Sequence, residues 1–62
     1  MILLDIVRMF TPETFFCYHD RIGQTSLTEP YEMPKRLFAR VLSVWVDNDT
    51  VHVLLDYNFN AD

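Results

Sequence analysis

The 62-residue sequence predicts a single small domain, mainly β, organised around one antiparallel hairpin. Three observations carry that expectation. Residues 38–46 and 51–59 are rich in β-branched and aromatic side chains and flank a polar turn, Asp47-Asn48-Asp49-Thr50. Half of the residues are hydrophobic and 15% are aromatic, a supply of core side chains that argues against disorder. The lone cysteine, Cys17, excludes an internal disulfide, so packing must hold the chain together. A domain of this size buries only about 60% of the surface of its unfolded chain, which leaves a narrow stability margin.

Taken in chain order, residues 2–10 fit two templates. Ile2, Leu4, Ile6 and Phe10 alternate as on a strand, whereas Ile2, Leu3, Ile6, Met9 and Phe10 make a helical stripe. Short length and β-branched content favour a strand. Thr11-Pro12 suits either a turn or the start of a helix. Residues 12–22 could then form a short helix stacking Phe15, His19 and Ile22, with Gly23 beyond its end. The dense aromatics of residues 15–19 favour a second strand instead. Gly23, Pro30 and Pro34 break residues 23–35 into a loop, with room for a short strand at 25–28.

The hairpin predicts its own register. Closing it at Asn48-Asp49 sets Val46 opposite Val51, Val44 opposite Val53, Leu42 opposite Leu55, Arg40 opposite Tyr57 and Phe38 opposite Phe59. That face is apolar and reads as the core side. The other face carries Ala39, Val41, Ser43, Trp45 and Asp47 against Asn58, Asp56, Leu54, His52 and Thr50, a mixture suited to a sheet wet on one side.

Charge and motifs narrow the function classes. A net charge of −4 with only five Lys and Arg residues disfavours nucleic acid, which is bound through basic side chains. A single cysteine fits a reducing, intracellular compartment, cytoplasmic or nuclear. The segment MILLDIV is too short to span a membrane and Asp5 interrupts it. Asn48-Asp49-Thr50 matches a glycosylation sequon but reads as turn chemistry. Asp47-x-Asp49 lacks the glycine and the closing glutamate of a calcium loop. Serines, histidines and aspartates occur without a nucleophile-elbow context, so no enzyme is expected. Cys17 and His19 share a face of a strand, and a metal site would further require His52 or Asp56 to come close. The simpler expectation is a buried cysteine beside an edge histidine, with no metal and no cofactor.

Several segments resemble a Tudor domain. Gly23 is followed by Tyr31-Glu32, then by Leu37-Phe38-Ala39-Arg40-Val41, then by Val51-His52-Val53-Leu54-Leu55-Asp56-Tyr57, in the order and spacing of that family's core. Residues 7–18, VRMFTPETFFCY, are similar to the segment that precedes the core in extended Tudor domains. The resemblance implies a small, strongly bent, antiparallel barrel. It also implies a non-enzymatic module that binds a protein or peptide, including methylated arginine held in an aromatic cage. Tyr31 and Tyr57 occupy cage-type positions, while Leu37 and Leu54 stand where the family carries aromatics. Trp45 lies on the mixed face beside His52, and tryptophan is enriched at interface centres. The expected binding surface is therefore Trp45, Tyr31, Tyr57, Leu54 and His52. The alternative is a small structural or regulatory polypeptide that forms a homo-oligomer, or blocks a larger protein by edge-strand or apolar-face docking.

Overall fold

A computed structural model describes residues 1–62. It contains a helix α1 (Leu3–Met9), strands β1 (Phe15–His19) and β2 (Thr25–Ser26), a one-turn helix α2 (Pro34–Leu37), and strands β3 (Arg40–Asp47) and β4 (Thr50–Asp56). Short 3-10 turns cover Pro30–Glu32 and Phe59–Ala61. The four strands form one open sheet in the order β2-β1-β4-β3, and the fold is mainly β. β1 pairs antiparallel with β2 and parallel with β4, and β3 pairs antiparallel with β4. The sheet is thus open and mixed, where the Tudor resemblance implied a wholly antiparallel barrel.

Residues 3–9 are helical, which corrects the expected first strand. The helical stripe wins because Leu3 and Ile6, three apart, are both buried in the core beneath the sheet. Asp5 closes the N-terminus by accepting a hydrogen bond from the Ile2 backbone N–H at 3.0 Å, and Arg8 lies in the last turn, so both charges suit the helix dipole. Extended geometry survives at the two ends, Ile2 and Phe10, and Ile2 bridges to Arg40: Leu3 N–H donates to Ala39 O and Val41 N–H to Met1 O.

Residues 15–19 form the strand that their aromatics favoured, and no helix spans 12–22. The short strand expected within 25–28 is β2. Gly23 lies in the turn before it at φ +87°, a conformation that side-chain-bearing residues rarely adopt.

The hairpin forms with its expected loop and half of its expected register. Asn48 and Asp49 both take positive φ, 51° and 60°, the two-residue turn whose twist matches the flanking strands. Val46 faces Val51 and Val44 faces Val53. Beyond them the register shifts, because Leu42 is an extra residue in a β-bulge. Val41, not Leu42, now faces Leu55, and Arg40 faces Asp56, not Tyr57. The Phe38–Phe59 pair is absent, since α2 carries the chain to Phe38 and β3 begins at Arg40.

The core comprises Leu3, Ile6, Tyr18, Ala39, Val51, Val53 and Leu55. Only the β4 half of the expected apolar face is buried. Val44, Val46 and Leu42 of β3 are exposed, because β3 is the sheet edge.

Two polar hubs tie the loops to the sheet. The buried Asp20 carboxylate accepts from the backbone N–H of Ile22, Gln24 and Phe59 and from the Gln24 amide, at 2.8–3.2 Å. The buried Arg36 guanidinium donates to both Asp62 carboxylate oxygens and to Ser26 Oγ, and lies 4.0 Å from the centre of the Phe59 ring. An Arg36→Lys chain retains the charge but loses the planar fork. Its unfolding free energy should fall by about 1.5 kcal/mol, the worth of one charged hydrogen bond, as read by urea denaturation.

Candidate functional site

Alternation along the strands separates two faces. Leu55, Val53, Val51 and Tyr18 turn toward α1, and their neighbours turn to the open side of the sheet. On that side the pairing builds a row. Cys17 lies opposite His52 across the parallel β1–β4 pair, and Trp45 lies opposite His52 across the antiparallel β3–β4 pair. His19, two residues on from Cys17, occupies the next row opposite Leu54.

The side chains of this row converge. His19 Nε2 and His52 Nδ1 are 2.8 Å apart, so one ring nitrogen donates to the other. Cys17 Sγ and the two imidazoles present ligand-type atoms that all lie within 4.8 Å of one another. The Trp45 indole stacks on His52, with ring centres 5.2 Å apart and planes 6° apart, and it also meets His19 at 5.0 Å. Burial, followed by the neighbouring His52 ring, lowers the His19 pKa below its ordinary value of 6.5 and favours a neutral imidazole. All three ligand-type residues are half-buried.

The second exposed feature is the outer edge of β3. The N-terminal residues cover that edge only near Ala39 to Val41. Past them, Leu42, Val44, Trp45 and Val46 are between 40% and 68% exposed on a strand with no neighbour on its outer side. An edge that carries several large apolar residues and no Lys is open to pairing with another strand.

The five residues expected to bind fall on three surfaces. Trp45, His52 and Leu54 share the open face. Tyr31 lines a cleft of about 290 Å³ with Phe10, Phe16, Tyr18 and Glu29. Tyr57 lies beyond the end of β4, where its ring packs against the core and its hydroxyl donates to Asp62 Oδ1 at 2.9 Å. The structure does not gather Tyr31, Tyr57 and Trp45 into one cage. The cleft around Tyr31 is at the lower limit of the volumes that hold small ligands, roughly 300 Å³. No helix of the structure is long and apolar enough to cross a membrane.

Sequence reasoning placed Cys17 and His19 on one face but left His52 apart from them. The missing link is the parallel β1–β4 pairing, which sets Cys17 opposite His52 and so brings His19 and His52, 33 apart in sequence, together. A two-residue Cys-x-His spacing together with a histidine on a neighbouring strand was the only signal on offer. No protein family, curated protein or solved structure matches the chain.

Proposed function

We propose that the chain is a non-enzymatic protein-interaction module that takes an extended segment of a partner protein against the outer edge of β3. The carrying observation is the stretch from Leu42 to Asp47, an unpaired edge with four exposed apolar side chains on a small sheet. Backbone hydrogen bonds would supply a general affinity, and side-chain pairing with Val44, Trp45 and Val46 would select the segment. The net charge of −4 attracts segments that carry Lys or Arg. This reading keeps the binding role that the Tudor resemblance implied, and it moves the contact from an aromatic cage to a strand edge. It also suits an intracellular setting, where the thiol of Cys17 stays reduced.

Screening the immobilised domain against a library of extended peptides tests the proposal. Peptides with alternating apolar positions and flanking Lys or Arg should be enriched, and when bound they should protect the amides of residues 42–47 from hydrogen exchange. Val44→Lys adds a charge at an exposed edge position opposite Val53 and should weaken binding by about tenfold or more, with circular dichroism confirming that the variant stays folded. Equal affinity in the Val44→Lys chain, or protection located elsewhere, would count decisively against the edge.

A second reading follows from the same strand. Two copies of β3 laid antiparallel about Val44 would set Val44 opposite itself and Leu42 opposite Val46, an apolar seam suited to a homodimer. Sedimentation of the wild type and of Val44→Lys separates the two. A dimer lost on Val44→Lys identifies the second copy as the partner, and a monomer at every concentration leaves the peptide reading alone.

A further inference from the structure

We propose that Cys17, His19 and His52 form a binding site for one zinc-class transition-metal ion on the open face of the sheet. The inference rests on convergence of ligand atoms and does not depend on the edge of β3 being an interface. Three groups of the types that bind zinc come together from two adjacent strands, with their ligand atoms within 4.8 Å of one another. A tetrahedral zinc ion with ligand bonds of about 2.0 Å to nitrogen and 2.3 Å to sulfur holds its ligand atoms roughly 3.3–3.6 Å apart. The His19 Nε2 to His52 Nδ1 separation of 2.8 Å therefore has to open by about half an ångström. The wider separations in the cluster, up to 4.8 Å, have to close at the same time, and both adjustments fall to χ rotations of the three half-buried side chains.

Donor chemistry selects the ion. One thiolate and two imidazoles suit zinc and its neighbours in the first transition row, whereas calcium and magnesium require oxygen ligands. The carboxylate of Asp56, further along β4, is engaged by Arg21 at 3.0 Å and Arg40 at 2.9 Å, and it is not part of the cluster. Three protein ligands leave the fourth position for water or an incoming group. Strand positions hold the ligands more rigidly than loops would, and the Trp45 indole stacked on His52 fixes that ring from the β3 side.

Binding has a defined proton balance. Cys17 gives up its thiol proton to solvent as the sulfur–metal bond forms. The imidazole N–H that bridges the two histidines must leave its nitrogen, which it does by exchange to the other ring nitrogen of the same residue, leaving both rings neutral. One proton is released per ion bound.

Cobalt(II) titration of the reduced 62-residue chain tests the site, because cobalt occupies zinc sites and reports its ligands optically. The expected result is saturation at one cobalt per chain, with a thiolate-to-cobalt charge-transfer band, strong visible bands of a four-coordinate ion, and loss of both on adding zinc. Cys17→Ser should remove the charge-transfer band. His52→Ala should weaken binding by more than the roughly 10–100-fold typical of losing a supporting group. Both side chains lie on the open face, and far-ultraviolet circular dichroism checks that the variants remain folded. Should either variant unfold, zinc added to the labelled wild type must shift the ring resonances of His19 and His52 ahead of all others. Absence of the charge-transfer band, saturation only at large excess, an unchanged spectrum in Cys17→Ser, or first shifts elsewhere would each overturn the site.

Discussion

Replacing Asp20 with alanine is expected to leave the chain largely unfolded at 25 °C. The carboxylate is 1% exposed and accepts four hydrogen bonds, three of them from backbone N–H groups. It fastens the end of β1 to the turn before β2 and to the turn that follows β4. Deleting it leaves three backbone donors and the Gln24 amide, all in part-buried hydrogen bonds, without their shared acceptor and unties three segments at once. Unsatisfied donors of this kind are more damaging than a lost contact between exposed groups. Asp20→Asn keeps the shape but presents an amide N–H₂ toward groups that also donate, so it should be intermediate. Burial alone would push the Asp20 carboxyl up. The N–H groups of Phe59, Gln24 and Ile22 together with the Gln24 amide outweigh it and hold the carboxyl below its ordinary value of 3.8.

The pH dependence follows from that direction. A group whose pKa is depressed by folding adds stability that is fully present above the unfolded value and is lost as pH falls through the folded value. Asp62 acts with the same sign. The Arg36 guanidinium holds its carboxyl below the ordinary range, burial opposes this, and the Tyr57 hydroxyl adds to the lowering. Urea midpoints should therefore be flat from neutral pH to just above 4 as far as these two groups are concerned, and should fall steeply below. A wild type whose midpoint holds steady to pH 2 would show that neither carboxylate is anchored as described.

Leu55→Ala should be the most damaging truncation in the apolar core. Leu55 is fully buried near the C-terminal end of β4, opposite Val41 of β3, and packs in the cluster with Leu3, Ile6 and Val53. Leucine-to-alanine changes in such settings cost about 2–5 kcal/mol. At roughly 0.05–0.15 kcal/mol per residue, a chain of this length has only about 3–9 kcal/mol in total. A single side chain thus decides whether the fold persists. The comparison is Val46→Ala, 68% exposed on β3, which should stay within about 0.5 kcal/mol of the wild type. Equilibrium unfolding of both, followed by circular dichroism, reads the difference. Similar losses in the two would mean that β3, not β4, carries the core.

How far the sequence foretold this arrangement varied with the range of the interaction. The hairpin loop and the pairs nearest to it were legible, because turn preference and cross-strand alternation act over a few residues. The bulge at Leu42 was not, since either Val41 or Leu42 can face Leu55 with an apolar match, and the choice depends on how Met1 and Leu3 bond to the strand from its far side. Residues 2–10 supported a strand and a helix almost equally. The helix prevails because Leu3 and Ile6 find a β-sheet floor of Val51, Val53 and Leu55, which local pattern does not reveal. Trp45, His52 and Leu54 were rightly placed on one face. Exposure of Val44 and Val46 was missed for a general reason: alternation says which side of a sheet a residue faces, and never whether anything covers it.

The parallel pairing of β1 with β4 carries a consequence for the order of assembly. Its central strand is supplied by residues 50–56, and the 30 residues from 20 to 49 form the loop that this pairing closes. The β3–β4 hairpin has only a two-residue loop to close and is the natural first event. β1 and α1 then have a template, whereas before it they have none. The amino-terminal third of the chain is thus a late passenger on a platform made by the carboxy-terminal third, and until it docks, the apolar side of β4 lies bare to any other strand in the vicinity.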